Sequence, residues 1–197
     1  MPSPVGDLYA QGLDFVTSIV QQLPDDVWDR PSPCADWRVL DVLGHLGITT
    51  RFGIDTLEGR RPAWQPPATP GDAVQGPPQA WWSDLAAHAH RALAGVDLQQ
   101  TVETPAGPRR IGAGLTFPAV DLYVHGWDMA RAAGRDVEIP VEAVQFGRSV
   151  LEPIPAEQLR RPVTFGPEVP APDGATVTAA FLAWTGRDPA WPGPLRA

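Results

Sequence analysis

Apolar residues recur at the spacing of one helix face in six stretches of this chain. From Pro4 to Leu23 the positions Leu8, Leu13, Val16, Ile19, Val20 and Leu23 form a stripe with Gln and Asp between them, which predicts a first helix stopped by Pro24. A second helix is expected from Asp36, as N-cap, through His45 to about Leu57, with Gly59 ending it; Val42, His45 and Ile48 share its apolar stripe. The third runs from Ala80 to Leu93, led by Trp81 and Trp82, with Leu85, Ala89 and Leu93 turned inward. A fourth is expected from Thr116, as N-cap with Pro118 in the first turn, to Ala133, followed by Gly134 at C′; a start near Gly112 with a kink at Pro118 fits the pattern as well. The fifth covers Pro140 to Glu152, with Val141, Val144, Phe146 and Val150 as its apolar residues. A short last helix spans Asp173 to Trp184, with Ala175, Val177, Ala180, Phe181 and Trp184 as candidate buried positions.

The segments between these helices carry breakers instead of a period. Six prolines from Pro62 to Pro78, with Gly71 and Gly76, predict a long loop, and six more from Pro153 to Pro172 predict a second one. Thr101 to Thr104 and Arg109 to Ile111 flank Pro105-Ala106-Gly107-Pro108, a small hairpin signal. No internal repeat is present. The resulting architecture is mostly α: a four-helix bundle with one β-hairpin and additional short helices, spanning residues 1–197 as a single domain.

Composition narrows the function classes. A net charge of −8, with 15 basic against 23 acidic residues and no basic cluster, speaks against nucleic acid and against an anionic membrane surface. No window approaches the roughly 20 apolar residues of a membrane span, and Met1 to Ala10 lacks the charged start and apolar run of a signal peptide, so a cytoplasmic protein is expected. Cys34 is the single cysteine and excludes an intrachain disulfide. Every basic residue is Arg, which with 24 Pro and 19 Gly points to a GC-rich genome.

The chemistry concentrates in Phe117 to Gly134. Asp121 and His125 stand four residues apart, so on a helix they project from one face and can share one divalent metal. A third ligand, on this reading, comes from His45 in the second helix. Three protein ligands leave one coordination position open, the mark of a catalytic site. His45 and His125 both lie in apolar helices, where a buried imidazole needs a partner, and helical bundles build metal sites in this way. Asp41 competes, being four residues before His45, and reads better as a helix-start or supporting carboxylate. His88 and His90, among alanines of the third helix, read as surface residues.

Three blocks of the chain resemble a known family. Ser32-Pro33-Cys34-Ala35-Asp36-Trp37, Val39, Leu40 and Gly44-His45-Leu46 form the first, Asp121 to Gly134 with its His125-Gly126-Trp127-Asp128 the second, and Phe181 to Pro189 with its Gly186-Arg187-Asp188-Pro189 the third. Together they resemble the mycothiol-dependent maleylpyruvate isomerase-like proteins of the DinB-like metalloenzyme superfamily. The resemblance implies a DinB-like four-helix bundle with a divalent metal, usually zinc, held by His45, Asp121 and His125. Many relatives carry Glu or His where this chain has Asp121. It also implies a low-molecular-weight thiol such as mycothiol as cosubstrate, in S-transfer or isomerisation of a small electrophilic substrate. A monomer or homodimer is expected.

Two other functions use the same residues: a hydrolase or other enzyme of specialised metabolism whose metal activates water, and a non-catalytic ligand- or metal-binding protein. The remaining motif residues have two readings each. Cys34 is a reactive thiol or a small packing residue. Trp37 and Trp127 line a cleft or fill the core. Asp128 orients a ligand or pairs with Arg131 one turn on. Arg109 and Arg110 receive a carboxylate or are solvated on the hairpin. Arg187-Asp188-Pro189 caps and pins the last helix. The two proline-rich loops are where substrate specificity would reside.

Overall fold

The computed structural model describes residues 4–61, 66–104, 107–161 and 164–191. The opening of the first proline-rich loop (62–65), the turn residues Pro105 and Ala106 and positions 162–163 of the second loop lie outside the described residues. Among the described residues, seven α-helices and one antiparallel hairpin follow in order: α1 (Pro4–Val20), α2 (Val39–Leu57), α3 (Pro78–Leu93), β1 (Thr101–Thr104), β2 (Gly107–Arg110), α4 (Thr116–Ala132), α5 (Val141–Leu151), α6 (Ala156–Leu159) and α7 (Val177–Trp184). Helices α1 to α4 form a four-helix bundle, in which α1 packs on α3 and α4, and α2 on α3 and α4.

Helix α4 is the centre of the molecule. Every residue from Leu122 to Ala130 is buried, because both faces are covered. Ala119, Leu122, Met129 and Ala130 enter the core shared with α1, α2 and α3, where Leu13, Val16, Val42, Leu43, Leu46 and Trp82 are fully enclosed. Val120, Tyr123, Val124 and Trp127 enter a second core closed by Val144, Leu151, Phe165, Phe181 and Leu182. Gly134 stops the helix as expected: its φ of 71° lies in the left-handed region that favours glycine, and the Gly134 and Arg135 N–H groups close back onto Arg131 and Ala130.

Several boundaries differ from the sequence pattern for identifiable reasons. Asp36 is not the N-cap of α2; it takes φ 66° in a tight turn, and the helix begins three residues later. There the Asp41 carboxylate accepts from the Arg38 backbone N–H at 2.9 Å and from the Gly71 N–H at 3.1 Å, so one side chain caps α2 and pins the proline-rich loop. Asp41 is thus a helix-start carboxylate. Thr116 is the first residue of α4 and not its cap, because a 3-10 turn over Ile111–Leu115 leads directly into it. The first loop holds its own 3-10 turn over Pro70–Ala73, and the hairpin pairs Thr101 with Arg110 and Thr104 with Gly107. Val141 and Val177, expected to be buried, are about half exposed, since each is the first residue of its helix; Ala143 and Thr178, two residues and one residue further on, are buried instead. Among the described residues, no helix is long and apolar enough to cross a membrane.

Candidate metal centre

The helical spacing of Asp121 and His125 places both on one face of α4, and α2 crosses that face at His45. One ligand atom from each of His45, Asp121 and His125 lies within 4.8 Å of the other two. The His45 Nε2 is 3.4 Å from an Asp121 oxygen, and the two imidazole rings meet edge to face at 4.9 Å between centroids. The His45 and Asp121 side chains keep 25% and 20% of their surface exposed, whereas that of His125 keeps 9%. The cluster is therefore partly open to solvent on the side of His45 and Asp121.

His125 is held from behind. Its Nδ1 lies 2.9 Å from Asp128 Oδ2, one turn further along α4. The Asp128 carboxylate is fully buried and also receives the guanidinium of Arg187, at 3.1 Å from Nη2 and 3.3 Å from Nε. With Nδ1 donating to a carboxylate, His125 keeps its lone pair on Nε2, a tautomer suited to ligating a metal. Burial lowers the His125 pKa despite the Asp128 bond, so the imidazole is neutral. Burial opposes ionisation of Asp121 and Asp128; His45, His125 and Arg187 together outweigh it for Asp121, and Arg187 with His125 for Asp128, so both carboxyls lie below their ordinary value. An imidazole with a free lone pair, as on His125, and an ionised carboxylate are forms that bind a cation.

Ser32 to Arg38 folds over this cluster. Ser32 Oγ donates to the Trp37 carbonyl at 2.9 Å and the Trp37 N–H bonds the Cys34 carbonyl, which fixes a tight turn. Trp37 is thereby set with its ring centroid 5.0 Å from that of His45 and 5.9 Å from that of His125. Cys34, His125 and Asp128 form a second group with ligand atoms within 4.8 Å. That group is a poorer cation site. Asp128 already accepts from His125 and Arg187, and burial, with the Asp128 charge next, pushes the Cys34 thiol up to about 12, so it stays protonated. The set His45, Asp121 and His125 could hold a divalent cation: three donors of the right types, partly open, with the most buried histidine already oriented.

The other singled-out residues separate cleanly. Trp127 is core, packed in the second cluster. His88 and His90 are surface residues bonded to Glu58 and Asp14. Arg109 and Arg110 are exposed on the hairpin, Arg110 reaching Gln99 at 2.8 Å. Asp128 does not pair with Arg131, which turns to Asp136 and the Trp191 carbonyl. Arg187, read from sequence as part of a helix cap, is the buried partner of Asp128, and only the Gly186-Arg187-Asp188-Pro189 block hinted that it mattered.

A family model described as the mycothiol maleylpyruvate isomerase N-terminal domain matches residues 9–130. The crystal structure of a His-to-Ala mutant of the mycothiol-dependent maleylpyruvate isomerase superposes with a TM-score of 0.58 at 13% identity, over 97% of this chain and 80% of that one. At that identity the likeness is one of fold. None of the curated proteins matches this chain.

Proposed function

The chain belongs to the mycothiol maleylpyruvate isomerase N-terminal domain family, and from that premise we propose that it is a divalent-metal-dependent enzyme using a low-molecular-weight thiol, of the mycothiol type, for S-transfer or isomerisation of a small electrophilic substrate. The observation that carries the reading is the convergence of His45 from α2 with Asp121 and His125 from α4, their ligand atoms within 4.8 Å and two of the three side chains partly exposed. A divalent cation held there, zinc being the expected one, would lower the pKa of a thiol at its open position and keep it as the nucleophilic thiolate.

The chain's own residues do the rest. His125 and Asp121 present lone pairs from one helix face, and His45 supplies the third from across the bundle. Trp37 covers the two imidazoles and excludes bulk water from that side, while the exposed edges of His45 and Asp121 leave the entry path. Asp121, one methylene shorter than Glu, holds its carboxylate closer to the α4 backbone.

The test is metal content of protein purified without an affinity tag, beside His45→Ala and Asp121→Ala, followed by turnover with and without mycothiol. Near-stoichiometric metal in the parent, lost in both variants, with turnover that requires the thiol, is the expected result. A parent that takes up no metal on addition sinks the enzymatic reading, and turnover indifferent to every added thiol would transfer the nucleophile's role to water.

A further inference from the structure

We propose that Arg187 is a positioning residue for the metal-binding edge of His125, acting through Asp128, so that the segment after α7 completes a centre whose ligands all lie on α2 and α4. The inference rests on the reading above that His125 is a ligand. Arg187 lies beyond the stretch that the family model matches, 59 residues from Asp128 in the chain.

The geometry has a direction. Asp128 Oδ2 accepts from both His125 Nδ1 and Arg187 Nη2, and Oδ1 accepts from Arg187 Nε. A carboxylate gripped at both oxygens by a planar guanidinium has no rotational freedom left, so its remaining acceptor direction, and with it the plane of the His125 ring, is fixed. All three side chains are buried, so no water competes for these bonds.

Arg187 is itself locked from outside. Its guanidinium lies 5.5 Å over the Phe165 ring, and its Nη1 reaches the Thr185 carbonyl at 3.5 Å. Gly186 turns the chain at φ 86° against Gly166; a Cβ there would fall 2.8 Å from the Gly166 carbonyl carbon and oxygen and from the Pro167 oxygen, so only glycine fits. A plain helix cap would need none of this burial. A hydrogen-bond partner outside the ligand set is also what a histidine ligand usually requires to present a single nitrogen.

The experiment compares the parent chain with Arg187→Gln, Arg187→Lys, Asp128→Asn and the double variant Asp128→Asn/Arg187→Gln. The zinc dissociation constant is measured by chelator competition, and the nitrogen-15 shifts of the His125 ring are recorded in metal-free protein. Arg187→Gln alone strands a buried carboxylate and risks misfolding; the double variant removes both charges and keeps the test open. Arg187→Gln and Asp128→Asn should each weaken zinc binding by about 10- to 100-fold, the range for lost outer partners of a ligand. The double variant should be no weaker than the worse single one, and Arg187→Lys should recover part of the loss.

In the metal-free parent the His125 proton should reside on Nδ1, and in the double variant it should redistribute between the two nitrogens. Zinc affinity and His125 shifts that stay at parental values in folded Arg187 variants, with thermal stability alone reduced, would make Arg187 a structural residue and overturn the inference. A parent that binds no zinc defeats the ligand reading instead. The ring shifts still decide whether Arg187 governs His125.

Discussion

At the scale of single residues, three acids, the buried Tyr9 and Tyr123 and the half-buried Cys34, are held protonated by the fold, and this sets an alkaline limit on stability. Tyr123 donates its hydroxyl to the Leu8 carbonyl at 2.9 Å, and burial pushes it up to about 12 from 10.0. Burial raises Tyr9 as well, and Cys34 reaches about 12 from 9.0. The sign follows from linkage. Between the unfolded and folded values the native state binds more protons than the unfolded chain, so stability falls as pH rises. Urea midpoints of metal-free protein should therefore be flat near neutrality and decline from about pH 9 upward. Tyr123→Phe should lose about 1 kcal/mol at pH 7, the worth of one hydrogen bond, and decline less steeply between pH 10 and 12. An identical slope for parent and variant would show that Tyr123 is not the titrating group. None of this was legible in the sequence, because Tyr123 finds its partner 115 residues away. Asp128 repeats the point: its nearest basic neighbour by spacing, Arg131, turns away, and the real partner comes from the far end of the chain.

At the scale of elements, the glycines of α2 explain why a helix with weak local propensity is used to carry His45. A Cβ on Gly44 would lie 2.0 Å from the Pro70 carbonyl oxygen, and one on Gly47 would lie 2.0 Å from the Trp81 ring. These positions are close approaches, letting the proline-rich loop and α3 lie directly on the helix backbone. In an exposed helix Gly→Ala gains roughly 0.5–1 kcal/mol. Here Gly44→Ala should cost about 1–3 kcal/mol, as overpacking does, and it should displace the 3-10 turn at Pro70–Ala73 that Asp41 pins. Thermal denaturation reads the first effect, and a Gly44→Ala protein more stable than its parent would refute it. Helix positions and the Asp121/His125 face were readable because a 3.6-residue period is local. The start of α2 was not: it begins at Val39, where the Asp41 carboxylate caps it, three residues after Asp36, whereas α4 does begin at Thr116, led in by a 3-10 turn. Val141 and Val177 satisfy the period yet are exposed, since periodicity reports which face is apolar and not how far the core extends along it.

At the scale of the whole molecule, the candidate site depends on one packing event, the approach of α2 to α4, that no local pattern encodes. His45 and His125 are 80 positions apart in the chain and meet only because the apolar faces around Val42, Leu43 and Leu46 close on those around Leu122 and Met129. The unfolded chain offers no such convergence, so a cation that binds His45, Asp121 and His125 binds the native state preferentially and stabilises it by mass action. With free zinc at 100 times its dissociation constant the gain is about 2.7 kcal/mol, and for a chain of this length each kcal/mol moves the midpoint by roughly 2–4 °C. Zinc should thus raise Tm by roughly 5–11 °C on these scales. The shift should vanish in His125→Ala, although that variant's own Tm without metal stays readable. It should persist in His88→Ala, whose imidazole pairs with Glu58 at the surface. A parent Tm indifferent to zinc, or a shift that survives His125→Ala, would mean that the cluster of α2 and α4 is not where the cation binds. A shift in the parent lost only on removing His45, Asp121 or His125 ties metal binding to the closure of the bundle itself.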